Sequence, residues 1–542
     1  MRRIFTISII VILISSCTSK KKVDLIVTDA KIYTVDKDFS IAEAFAVKDG
    51  RFLEVGSNSD IIDKYEATES LKADGKAIYP GLIDAHTHFY QLGIQQQKVD
   101  LNGTSSFEEV VSRIVEFQQK NSQKFITGWG WDQNDWDVKE FPHKDTLDRL
   151  FPDTPIAITR VDGHALLANQ AALDKAGITT KTEVEGGEIE QKNRELTGII
   201  IDNPVQLITD AKPKLSKSDN VDALIDAQKI CFKYGLTTVV DAGLDRKIIE
   251  LMDSLQKQQD LKIRVYAMIS NTKENLDYYL DKDPYKTDRL NVRSVKFYGD
   301  GALGSRGAAL KEEYSDRHGH FGALLSPIKT FKEVAARVAK SKYQLNTHAI
   351  GDSANYVVLK TYDSLLKNDP NRRWRVEHAQ IIDKGDFKYF SKNIIPSVQP
   401  THATSDMYWA EDRLGSERIK NAYAYKKLLD QAGIIALGTD FPIEKVSPFL
   451  TFHAAVARKD THNFPENGFM KEEALSRKET LKGMTIWAAY ANFEEKEKGS
   501  IEPGKFADFI MLDQDIMEIK EEEIPNSKVL KTVVGGEQVY SN

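Results

Sequence analysis

Between about residues 220 and 490 the chain repeats one unit, a short apolar run followed by roughly ten to twenty residues of helical periodicity. The runs lie at 236–240, 263–269, 292–297, 345–348, 374–378, 394–398 and 434–437, with helical patterns such as 331–343 and 354–366 between them. Runs this short, apolar on both faces and separated by helices read as buried parallel strands joined by crossovers. An eighth run at 77–84 completes the count. Eight such units predict an α/β fold of the (β/α)8 TIM barrel type, with an open doubly wound sheet as the alternative.

The flanking regions have a different texture. Residues 23–80 and 491–542 alternate in strand fashion, with a two-residue hairpin signal at Lys48-Asp49-Gly50-Arg51 and a turn at Gly535-Gly536. They could pair into one small sheet unit. Residues 100–220, rich in Gly, Trp and Asp, interrupt the barrel rhythm after its first strand and read as an insertion over the barrel mouth. The barrel itself would occupy 81–490.

The N-terminus reads as an address. Met1-Arg2-Arg3 precedes an apolar stretch over 4–14, too short to span a bilayer, and Ile14-Ser15-Ser16-Cys17 resembles a bacterial lipobox. Residues 1–16 are thus expected to be a signal peptide, Cys17 the lipidated N-terminus and 17–22 a tether. That would place the protein in the bacterial cell envelope, lipid-anchored and facing the periplasm. The chain has only two cysteines, which rules out a disulfide framework, and Cys231, in the helical stretch 223–234, is expected to be a buried inert thiol. Lys and Arg number 74 against 81 Asp and Glu, a mild net charge of −7 that argues against a nucleic-acid partner. A homodimer is left open.

Chemistry gathers at the ends of the runs. Ile83-Asp84-Ala85-His86-Thr87-His88 closes the first, and residues two apart on a strand share a face, so His86 and His88 can grip one cation. Lys296 stands in the fourth run, His348 and His378 finish the fifth and sixth, and Asp440 follows the eighth. In a parallel barrel these C-terminal ends converge on one face. Lys296 is the odd member, because a buried ammonium beside a cation is costly. It could pair with Asp440, form a Schiff base, or take up CO2 as the neutral amine and become a carbamate that bridges two metals.

The set His86, His88, Lys296, His348, His378 and Asp440 resembles the metal-dependent amidohydrolase superfamily, most closely its amidohydrolase-3, N-substituted formamide deformylase-like branch. Supporting stretches are Gly128-Trp129-Gly130-Trp131-Asp132, Asp162-Gly163-His164, Lys296-Phe297-Tyr298-Gly299-Asp300-Gly301, Thr347-His348-Ala349-Ile350-Gly351-Asp352, Glu377-His378-Ala379-Gln380 and Gly438-Thr439-Asp440. The resemblance implies that His86, His88 and Asp440 hold one metal and His348 and His378 a second, with carboxylated Lys296 bridging. It also implies that the terminal segments form a small composite β-sandwich.

The expected activity is hydrolysis of carbon–nitrogen bonds other than peptide bonds (EC 3.5), on a small-molecule amide. Two divalent ions, zinc by default, would activate a hydroxide, and Asp440 would act as general base as well as ligand. His164 would hydrogen-bond the oxyanion or an amide oxygen. Trp129, Trp131, Asp132, His164, Arg306 and His402 are the candidate substrate contacts. The alternatives are a cyclic amide or imide hydrolase, a deaminase of the same superfamily, a Lys296 Schiff-base lyase, and a non-catalytic solute-binding lipoprotein.

Overall fold

The computed structural model describes residues 20–160, 165–184 and 187–542. Eight strands form the centre: β1 (Leu82–Thr87), β2 (Leu236–Leu244), β3 (Arg264–Ser270), β4 (Leu290–Tyr298), β5 (Gln344–Ala349), β6 (Trp374–His378), β7 (Ile394–Val398) and β8 (Ala436–Leu437). Each pairs in parallel with the next. Their side chains are almost wholly buried and mostly apolar, with the buried polar and charged exceptions Asp84, His86, Lys296, Arg375 and Glu377 among them. Amphipathic helices such as Ile328–Ala339 and Asp352–Leu366 turn apolar residues, among them Phe331, Val338, Val358 and Tyr362, into the same core.

The ring closes between β8 and β1 through the residues just past β8. Asp440 N donates to His86 O and His88 N to Phe441 O, both at 2.8 Å. Buried Asp84 accepts from Thr439 N at 3.0 Å and Thr439 Oγ1 at 2.7 Å. This approach requires glycine at position 438, where an added Cβ would lie 2.5 Å from His86 N and 2.8 Å from Asp84 Oδ1. β8 is correspondingly shorter than its apolar run, two residues instead of the expected 434–437.

The run at 77–84 divides into two strands, which corrects the expected single one. Ala77–Pro80 pairs antiparallel with Phe509–Leu512 at the other end of the chain, Ile510 opposite Tyr79, and only from Leu82 does the chain enter the barrel. Gly81 N donates to Asp508 O and Leu82 N to Gly235 O, marking the passage from one sheet to the other. N- and C-terminal strands thus share a six-stranded sheet. A four-stranded sheet of Arg51–Gly56, Ala44–Lys48, Lys21–Thr28 and Tyr65–Lys72 accompanies it, and Val27, Phe45, Phe52, Ile78, Phe509 and Val533 from the two sheets form one apolar cluster. The turn at Asp49-Gly50 has φ of 50° and 72°, the positive pair that a two-residue hairpin needs. Buried Arg264 binds Asp508 through two hydrogen bonds, at 2.7 and 2.9 Å, tying this unit to the barrel.

Between β1 and β2 a second six-stranded sheet runs from Val99–Asp100 to Glu195–Asp202, with its own apolar core around Ile114, Trp131, Ile158 and Ile199. The helix Lys217–Lys233 then leads to β2; Ser216 and Asp219 close its first turn as a capping box, and Cys231 is fully buried within it. Burial holds that thiol well above its usual range.

Candidate metal centre

Six of the expected ligands, and His402 with them, meet where the strands end. His86 points inward from β1 and gives its Nδ1 to Glu377 Oε2 at 2.5 Å, so its Nε2 faces the centre, 3.0 Å from Lys296 Nζ and 3.6 Å from Asp440 Oδ1. His88 lies one residue past β1, at the start of the helix Phe89–Gln96, with Nε2 3.4 Å from the same Asp440 oxygen. That helix is anchored by Asp241, which accepts from Phe89 N and Tyr90 N. His378 shares its Nδ1 with Gln399 Oε1 at 2.7 Å, which directs its Nε2 inward. His348 packs edge-on against His378 with ring centroids 4.5 Å apart. Its Nε2 is 3.6 Å from Asp300, a buried carboxylate that accepts from the backbone N–H groups of Ala309, Ile350 and Gly351 and so fixes the loop beside it.

Two of these residues are held in a left-handed backbone, His378 at φ 71° and Asp440 at φ 64°. Non-glycine residues persist there only where the surroundings impose it, and such positions cluster at functional sites. Here His378 is the last residue of β6 and Asp440 lies three residues past the end of β8.

The electrostatics favour lone pairs over protons. Burial, reinforced by the charge of Lys296, pushes His86 down to about 4 and His348 down to about 3; burial and the neighbouring His348 hold His378 well below its usual range. Burial brings Lys296 down to about 8. Burial alone would raise Asp440, but the surrounding imidazoles of His88, His86, His378 and His402 outweigh it and hold its carboxyl well below the usual range. Neutral imidazoles around an ionised carboxylate are the donor set a divalent cation takes. Asp440 Oδ1 and His348 Nε2 are buried polar atoms with no hydrogen-bond partner among the described residues, which fits the same role. Two three-residue clusters, His86/His88/Asp440 and His378/His402/Asp440, have ligand atoms within 4.8 Å of one another.

Beneath the histidines lies a buried ion pair that the sequence reading did not single out. Glu377, which receives His86, sits against Arg375 with Nη2 to Oε2 at 2.9 Å and Nε to Oε1 at 2.7 Å, and both side chains are fully buried. Arg375 also reaches Ser397 Oγ, Asn492 Oδ1 and the carbonyl of Ala85. Burial would raise Glu377, yet Arg375 and His86 bring it down to about 2. The signal was present in β6: Arg375 and Glu377 are two apart in an apolar strand and must share its inward face.

The other candidate contacts have different places. Trp131 is fully buried in the core of the insertion, its indole donating to Ile158 O at 3.0 Å, so it packs there and does not wall a pocket. Asp132 caps the short turn Gln133–Asp135 and binds Arg160. Arg306 is held by two hydrogen bonds to Asp316, at 3.0 and 2.7 Å, and braces its loop. Trp129 is 43% exposed on the insertion. His164 and Cys17 lie outside the described residues.

Comparison with known proteins agrees with this geometry. The sequence pattern described as the amidohydrolase family matches residues 71–540. LONG AFTER FAR-RED 3 of Arabidopsis thaliana is 32% identical over 537 residues, covering 95% of this chain and 91% of that protein. N-substituted formamide deformylase of Arthrobacter pascens is 25% identical over 538 residues, 95% and 97% of the two chains. An uncharacterized metal-dependent hydrolase of Pyrococcus horikoshii OT3 superposes with a TM-score of 0.78 at 27% identity, over 92% of this chain and 99% of that one. A match that runs from residue 71 to residue 540 takes in every barrel strand and each of the candidate ligand residues gathered above it, and on that ground the chain belongs to the amidohydrolase family.

Proposed function

We propose that this hydrolase cleaves a carbon–nitrogen bond other than a peptide bond, in a linear N-acyl amide or in a cyclic amide or imide. The observation that carries the reading is the convergence of His86, His88, His348 and His378 on Asp440, where burial favours the neutral imidazoles of His86, His348 and His378 and brings the adjacent amine of Lys296 down to about 8. His86, His88 and Asp440 would hold one divalent ion and His348 and His378 a second, zinc being the default for such donors. When bound, the ions supply a polarising charge for the scissile carbonyl and lower the pKa of water to roughly 7.

The remaining steps belong to the protein. Asp440 accepts the proton of the attacking water at its carboxylate and returns it to the departing amine nitrogen. Lys296, as the free amine, adds through Nζ to CO2; a proton leaves to solvent, and the resulting carbamate carries the negative charge that suits a bridging ligand. Glu377 and Gln399 keep His86 and His378 in the tautomers whose Nε2 lone pairs face the centre. The test is a screen of N-acyl, N-formyl and cyclic amides with zinc-reconstituted protein. Turnover of one class that disappears on chelation and returns with zinc supports the reading; hydrolysis confined to esters refutes the C–N assignment.

We further propose that Cys17 carries lipid, that the enzyme is anchored in the bacterial cell envelope facing the periplasm, and that the two terminal sheets are a composite β-sandwich. Labelled palmitate is expected in the wild-type chain and absent from Cys17→Ala; incorporation that survives the substitution refutes the anchor.

A further inference from the structure

Asp440 presents its two oxygens to different histidines. Oδ1 lies 3.4 Å from His88 Nε2 and 3.6 Å from His86 Nε2, whereas Oδ2 lies 3.7 Å from His402 Nε2. The His402 ring stacks on that of His378 at an interplanar angle of 20° and a centroid separation of 5.8 Å. The ligand atoms of His378, His402 and Asp440 lie within 4.8 Å of one another, as do those of His86, His88 and Asp440. Two donors each about 2.1 Å from one tetrahedral zinc ion stand about 3.4 Å apart. The separations on the His402 side of Asp440 are therefore of the size found on the His86/His88 side.

His402 is also delivered by a fixed element. It lies in the first turn of the helix Pro400–Asp406, which begins directly after β7, with proline at the opening helical position where its ring pre-sets the backbone. Thr401 and Thr404 on the same helix are buried, and Thr404 Oγ1 is bonded to Thr401 O. The imidazole thus leaves a packed helix at the C-terminal face of the barrel, in the same layer as the other ligands.

We infer that His402 is a metal ligand, joining the His348/His378 set of the second cation together with Asp440, so that Asp440 spans both cation positions through opposite oxygens. The inference rests on the metallohydrolase reading of the same site and adds β7 to the strands that furnish ligands. It replaces the role of substrate contact expected for His402. The two roles separate cleanly: a substrate contact raises KM and leaves metal content alone, whereas a ligand sets metal affinity with no substrate present.

The test uses the full-length chain titrated with cobalt(II) against a competing chelator and read by visible absorption. His402→Ala is expected to retain the first ion at wild-type affinity and to bind the second more than about 100-fold more weakly, since even outer-shell losses cost 10–100-fold. His402→Cys is expected to add a thiolate-to-cobalt charge-transfer band in the near ultraviolet, a gain of signal that a misfolded variant would not give. Two cobalt ions bound to His402→Ala at wild-type affinity, or a cobalt-loaded His402→Cys without the band, overturn the inference while leaving the hydrolase reading intact. A wild-type chain that binds no metal overturns both, and that result is recognised before any variant is made.

Discussion

Replacing Glu377 by glutamine separates what the buried ion pair does for the fold from what it does for the metal centre. In the folded chain Glu377 falls from the ordinary carboxyl value of 4.5 to about 2, because Arg375 and His86 outweigh its burial. At 1.36 kcal/mol for each tenfold change in proton affinity, that is about 3 kcal/mol. A carboxylate depressed on folding contributes this stability fully above about pH 4.5 and loses it as pH falls toward about 2. Glu377→Gln removes the contribution and leaves the fully buried Arg375 guanidinium without its counter-charge, a change that costs about 3–5 kcal/mol in buried pairs. Urea denaturation of the metal-free chain at pH 7 should register a loss of that size. Zinc affinity should fall about 10–100-fold, since His86 loses the charge that raises its basicity. The double variant Arg375→Met/Glu377→Leu, which removes both charges, should recover most of the stability but not the zinc affinity. If Glu377→Gln unfolds like wild type and binds zinc equally well, the pair neither stabilises the barrel nor orients its ligand, and the reasoning fails.

Below about pH 8 the free amine of Lys296 should become tenfold scarcer with each pH unit, so bicarbonate-dependent zinc uptake should climb with pH and level off above about 8. Carbon-13 bicarbonate should label a carbamate carbon that Lys296→Ala lacks, and that variant should lose metal and turnover together, with partial rescue by a small carboxylic acid; wild-type turnover in Lys296→Ala would refute the bridging role. Asp440→Asn should lower kcat by about 10²–10⁴-fold, and unchanged kcat at full metal content would remove it as the base. Gly438→Ala forces a Cβ to within 2.5 Å of His86 N, so it should cost about 1–3 kcal/mol or more in unfolding free energy; wild-type stability would mean the closure is looser than described.

Much of the architecture was legible because a short buried strand flanked by helical periodicity stands out in the sequence, so the runs at 374–378 and 394–398 coincide with strands β6 and β7. The division of 77–84 was not legible, since its two halves are equally apolar and only their partners differ: Phe509–Leu512 for one, the barrel for the other. The insertion gives a sharper case. Trp129 and Trp131 stand two apart on one strand, where alternation predicts a shared face, yet the register shifts between them and Gly130 adopts φ 109°. One indole is exposed and the other fully buried. An irregularity of backbone register leaves no periodic trace for the sequence to show.

At the metal centre the division follows the same physics. Residue type and strand-end position suffice to nominate His86, His88, Lys296, His348, His378 and Asp440, because parallel strands must deliver their C-terminal ends to one face. Which nitrogen each imidazole offers, which oxygen of Asp440 meets which histidine, and whether His402 stands with the ligands depend on contacts between residues remote in the chain. Those contacts are decided by how Glu377, Gln399 and the β8–β1 closure pack, and a linear order of residues carries no distances between them.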